Sequence, residues 1–223
     1  MLIMDAIVET YDAADFTLWP TAAPNSDRLL VLSDQMSPLE VGTVMAVLTS
    51  YNHDDPDGPA PDIKPGTRHI QNLLNVDLVI APGGILLQDT ATGVVIAPGC
   101  CFGLENWRDW LGLIHGEEVW LGHGTTAHVE HRGTLVKVWP DTDPPAKTPI
   151  ELPLADLPDL LQTVHDKLHG FLTLAEQWAS RYAPALAPAL IAKLNEDLNI
   201  GPPLEDPQTR NLPQTAGPSP GDC

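Results

Sequence analysis

Long helical periods fill the C-terminal third of this chain, and shorter strand-like runs precede them. Leu157, Leu160, Leu161, Val164, Leu168, Phe171, Leu172, Ala175 and Trp178 keep to one helical face. Asp156 stands at the N-cap position, with Pro158 and Asp159 in the first turn, and Tyr182-Ala183-Pro184 predicts the end. Leu186, Leu190, Ile191, Leu194 and Leu198 mark a final helix. Earlier, Ser37-Pro38-Leu39-Glu40 reads as a capping box with proline at the first helical position. Val41, Val44, Met45 and Leu48 carry that helix to about Tyr51, and Thr67–Asn75 predicts a short one. Leu104, Trp107, Leu111 and Ile114 form a further stripe, stopped by Gly116. On a period of 3.6, Trp107 belongs to the core and Trp110 falls off the stripe, toward solvent.

Strand signals fill the intervals. Ile7, Glu9, Tyr11, Phe16 and Leu18 fit a strand pair turning at Asp12–Asp15, and Arg28–Leu32 reads as a short buried strand. Asp77–Ala81, Ile85–Asp89 and Gly93–Ala97, joined by turns at Pro82-Gly83-Gly84 and Thr90-Ala91-Thr92, predict an antiparallel meander. Glu117–Leu121, Thr125–Glu130 and Leu135–Trp139 predict three more strands. The last two are joined at Arg132-Gly133, with Val136 and Val138 on one face and Leu135, Lys137 and Trp139 on the other. The class expected is α+β: an antiparallel sheet of meander and hairpins, with a Trp-containing helix and C-terminal helices packed on it. One globular domain is expected over residues 1–200, with Pro-rich loops at 52–66 and 141–149. Residues 201–223 read as a disordered Pro-rich tail, because the stretch has too few large apolar residues to offset its ordering entropy.

The charge changes the picture most. Thirty acidic residues face eleven basic ones, for a net charge of −19. Such a field repels nucleic acid and anionic membranes and attracts a basic protein partner. The 223 residues, 43% hydrophobic, can bury a core without disulfides or a metal. Three cysteines, two of them adjacent, make no disulfide framework and fit a reducing cytoplasm. The first ten residues lack the basic and apolar regions of a signal peptide, and no apolar run is long enough to span a bilayer. Phosphate loops, GxSxG, HExxH and dinucleotide fingerprints are all missing, so no cofactor is expected. The oligomeric state is open.

Candidate chemistry concentrates in Pro98–Trp139. Cys100 and Cys101 precede a predicted helix, whose N-terminus favours a thiolate. A cysteine enzyme would pair one of them with His115, His123, His128 or His131. His128 and His131 lie an odd number of residues apart, which on a strand puts them on opposite faces and argues against a metal site; His131 itself reads as a turn residue. Asp54, Asp55 and Asp57 lack the spacing of a calcium loop. Trp107, Trp110, Trp120 and Trp139 could build an aromatic cage. Trp110, framed by Glu105, Asp109, Glu117 and Glu118, better fits an exposed anchor with a charged rim, as in a protein-binding hot spot. The leading expectation is therefore a non-catalytic cytoplasmic binding protein. A Cys-dependent enzyme using Cys100 or Cys101 is the alternative, and a scaffold that recruits partners through its tail is a third reading.

The string PGCCxxLExWxxW from Pro98 to Trp110, with Gly83–Gly116 around it and the later WLGHG and VKVWPD, resembles an uncharacterised family of acidic actinobacterial proteins. The likeness covers roughly Asp77–Asp141 and implies no catalytic residue, cofactor or activity. In its acidity the chain is also similar to bacterial immunity proteins, which neutralise toxins.

Overall fold

The computed structural model describes residues 1–52, 65–99, 102–123, 127–141 and 148–204. Strand β1 (Leu2–Glu9) is central to the first sheet. It pairs on one side with β2 (Leu29–Val31) and on the other with β3 (Gly83–Asp89), which continues into β4 (Val94–Ile96); every pairing is antiparallel. The strand partner of β1 is thus Leu29–Val31, not the stretch around Phe16 expected from the sequence. Tyr11–Ala13 forms one turn of 3₁₀ helix instead, and β2 is a half-exposed edge rather than a buried strand. Gly83 and Gly84 are not a turn either: they open β3, with φ of 146° and 145°. A Cβ on Gly83 would stand 2.1 Å from the Ile7 carbonyl oxygen, so only glycine lets the two strands meet there.

Asp77–Ala81 is not a strand. Its backbone groups find side chains instead of a neighbouring strand. The Val79 N–H donates to Asp197 Oδ2 (2.7 Å), Asn52 brackets Ile80 with bonds of 2.8 and 2.7 Å, and the Ala81 N–H reaches Glu105 Oε2 (3.4 Å). The expected meander therefore reduces to the β3–β4 hairpin.

A true meander occurs in the second sheet, β5 (His128–Arg132), β6 (Leu135–Trp139) and β7 (Ile150–Pro153). Val136 and Val138 are buried, as the alternation predicts. They register with Leu152 and Ile150 of β7, a strand the sequence did not reveal. His131 pairs with Val136 inside the ladder rather than sitting in the turn.

Helix α1 (Pro38–Tyr51) begins on the predicted capping box. Ser37 Oγ accepts from the Glu40 N–H (3.3 Å), and Glu40 Oε2 accepts from the Ser37 N–H (2.7 Å). Helix α2 spans Pro65–Asn75, α3 Leu157–Tyr182 and α4 Ala187–Asp197. Asp156 occupies the N-cap of α3 without a side-chain bond. Helix α3 packs on β1, α1 and α4, and one hydrophobic core runs through both sheets and all four α-helices. The α+β class is the observed one. No helix among the described residues is long and apolar enough to cross a membrane.

Candidate functional site

The Trp-containing helix of the sequence is a 3₁₀ helix, Leu104–His115, closed by Gly116. A 3₁₀ helix has three residues per turn, so positions i and i+3 eclipse. Leu104, Trp107, Trp110 and Leu113 consequently stack on one face, and each is at most 1% exposed. This corrects the expectation for Trp110: it is a core residue, not an exposed anchor. Trp107 lies under the same cover. Its Nε1–H donates to the Leu198 carbonyl (3.0 Å), and its ring stacks on His165 (5.8 Å).

After the 3₁₀ helix, residues 117–121 belong to no strand among the described residues, in place of the expected β-strand at Glu117–Leu121. The alternation survives nonetheless. Val119 and Leu121 face the core, while Trp120 between them is 47% exposed. The Leu121 carbonyl accepts from the Gly99 N–H (2.7 Å) and fixes the segment. The Trp120 ring is seated on buried Phe102 (5.6 Å) and edge-on to His123 (4.8 Å). Trp139 lies on the second sheet, stacked with His128 at 5.9 Å, so the four tryptophans form no cage.

The acidic residues divide. Glu105 is half-buried and faces inward to the Ala81 N–H; desolvation pushes its carboxyl above the ordinary value, against those hydrogen bonds. Asp109, Glu117 and Glu118 are at the surface. The Glu117 N–H donates to the Gly112 carbonyl (3.0 Å), folding Glu117 back over the end of the 3₁₀ helix. A Cβ on Gly112 would meet Glu117 Oε2 at 2.4 Å. Partial desolvation raises the Asp109 carboxyl, and the charge of Glu117 raises it further. That mutual repulsion marks an acidic patch. His131 Nε2 bonds the Glu117 carbonyl oxygen (3.1 Å) from below.

Cys100, Cys101, Cys223, Asp54, Asp55 and Asp57 lie outside the described residues. Among the described residues, no group of three His, Cys, Asp or Glu is placed to hold a metal. Gly201–Leu204, placed by the sequence in the tail, is attached to the domain: the Arg108 guanidinium donates to the carbonyls of Asn199 (2.7 Å), Pro202 and Pro203 (3.1 Å) while lying over the Trp107 ring. Sequence reasoning also missed Arg28, a non-glycine residue at φ 57° that is among the residues lining a cavity. No family model, curated protein or solved structure matches this chain.

Proposed function

We propose that the chain is a non-catalytic binding protein that captures a basic protein partner, anchored at Trp120 beside the acidic patch of Asp109, Glu117 and Glu118. The observation that carries this reading is Trp120. A tryptophan held half out of the surface on a buried phenylalanine is a preformed anchor, since its ring needs little ordering on binding. The charge of −19 adds long-range attraction for a cation, which speeds encounter more than it tightens the complex. Capture of a cationic protein, as an immunity protein or inhibitor achieves it, is the use that suits such a surface. Three cysteines without a pairing pattern support a reducing cytoplasm as the setting of that activity.

Immobilised chain exposed to an extract of its native host should retain a basic protein at low salt. The association rate of that protein should fall steeply as the Debye length shrinks from ~10 Å at 0.1 M salt to ~3 Å at 1 M. Trp120→Ala should speed dissociation by about tenfold or more. Replacing Glu117 and Glu118 by Gln should slow association instead. Retention indifferent to salt and to Trp120→Ala would sink the reading.

A further inference from the structure

The last turns of α3 invert the charge of the rest of the chain. Leu174, Gln177, Trp178, Arg181 and Tyr182 keep helical spacing and form one side of α3. Two clefts meet along that side. The smaller, about 270 Å³, lies against Met36, Pro38 and Val41 around the start of α1. The larger, about 490 Å³, is closed by Thr17, Leu18 and Trp19 and by Pro65, Thr67 and Ile70 of α2. Arg181 and Tyr182 line both. Thirty of the 223 residues are acidic, yet no Asp or Glu is among the described residues lining either cleft. Arg181 is the one charged residue in that lining.

Arg181 is exposed and uncommitted. Among the described residues no carboxylate pairs with it and its guanidinium makes no hydrogen bond. Lys137, Lys167 and Lys193, by contrast, each hold a carboxylate. The last turn of α3 suits a cation, because the helix dipole favours the charge without using its N–H donors. The guanidinium carbon stands 5.7 Å from the centre of the Tyr182 ring, so the cation is at the edge that the two clefts share. The wall behind it is aromatic and fixed. Trp178 stacks on Tyr182 at 4.9 Å and meets Trp19 edge-on at 5.0 Å, and Trp19 Nε1–H donates to the Gly42 carbonyl at 2.8 Å. Those two tryptophans are buried, and Leu18, Leu174 and Tyr182 carry the apolar surface that a solute reaches.

We infer that the larger cleft binds a hydrophobic monocarboxylate, with its carboxylate on the Arg181 guanidinium and its hydrocarbon body against Leu18 and Tyr182. The planar fork of arginine matches a carboxylate with two parallel N–H···O bonds. An exposed ion pair contributes little alone, so the hydrocarbon must supply the rest of the affinity. The cleft lies within the usual 300–1,000 Å³ of a small-molecule site and has room for roughly ten to thirteen heavy atoms. One local cation in a chain of net charge −19 offsets one negative charge, so phosphate and other polyanions meet the repulsive field uncompensated.

Titration calorimetry on the full chain tests this with octanoate, 3-phenylpropanoate, the neutral amides of both, acetate and inorganic phosphate. Each is taken to about 5 mM, since ligands of this size in an open cleft bind at about 0.1–1 mM. At least one of the two hydrophobic acids should bind, its amide at least about tenfold more weakly, and acetate and phosphate not at all. Arg181→Gln, at an exposed position, should keep the melting temperature and weaken binding by about tenfold or more. Arg132→Gln makes the same charge change on the second sheet and should leave binding unaltered, which separates a local contact from the general field. Leu18→Glu places an acid in the cleft and should abolish binding. Failure of both hydrophobic acids to bind the unmodified chain would overturn the assignment. So would amides that bind as well as the acids, equal effects of Arg181→Gln and Arg132→Gln, unchanged binding in Leu18→Glu, or a preference for phosphate.

Discussion

Trp110 and Trp120 flank one short segment and carry opposite expectations for truncation. Trp110 is 1% exposed, in the stack with Leu104, Trp107 and Leu113. Trp110→Ala should leave a large cavity and destabilise the fold by about 3–5 kcal/mol, measured as a lowered urea midpoint at constant slope. Trp120→Ala should cost no more than about 1 kcal/mol, because its ring is half in solvent and loses only the contacts with Phe102 and His123. Equal losses would mean that the two rings are equally part of the core. The sequence misassigned Trp110 for a definite reason. A period of 3.6 puts Trp110 outside the stripe of Leu104, Trp107, Leu111 and Ile114, whereas a period of 3.0 puts it at the centre. Nothing in the residues themselves announces a twelve-residue 3₁₀ run, which is unusually long. Arg28 was equally hidden. Its backbone sign depends on Thr10 and Asn25, which hold it only once β1 and β2 have paired.

Elements were legible where their determinants are local. The α1 capping box lies within four consecutive residues, and α3 advertises itself through an apolar stripe repeated over about six turns. Val136 and Val138 show strand alternation within five residues. Asp77–Ala81 has strand composition yet forms none, because its partners are Asn52, Glu105 and Asp197, far away in the chain. Asp197 has the heaviest load of the three. It is nearly buried, accepts the Val79 N–H at 2.7 Å and pairs with Lys193 Nζ at 2.9 Å. Asp197→Ala should therefore strand a buried amide beside Val79, itself 0% exposed, and leave Lys193 without its carboxylate. A loss of about 1–3 kcal/mol is expected, with amide exchange at Val79 accelerated more than at the β1–β3 ladder. Uniform acceleration at both places would show that Asp197 acts on the whole domain rather than on this segment.

For the molecule as a whole, the chain's C-terminal run is tied to its middle by charge and imidazole chemistry, and this connection titrates. His165 of α3 is 6% exposed. Its Nε2 lies 2.6 Å from the Ile200 carbonyl oxygen and so carries the proton that bonds it, while Nδ1 faces the Gln162 amide at 3.5 Å. Trp107 stacks on the ring, His169 Nε2 is 3.1 Å from His165 Nε2, and Arg108 approaches on its way to the carbonyls of Asn199, Pro202 and Pro203. Desolvation holds the imidazole below its ordinary value of 6.5, helped by the charges of His169 and Arg108 and opposed by the Ile200 bond and Asp166. The unfolded chain therefore binds a proton at this site before the folded one does. Stability is fully present above 6.5 and is lost as pH falls from there toward the lowered folded value, by at most about 1.4 kcal/mol per pH unit for one proton. His165→Gln removes the titration while keeping a donor for Ile200. Urea unfolding of the unmodified chain at several pH values below neutrality should show stability falling with acid, and the variant should show a visibly shallower fall. Identical slopes would place the acid sensitivity on the carboxylates instead. A shallower slope joined to faster amide exchange at Ile200 in the unmodified chain at low pH would place it on the His165–Ile200 contact.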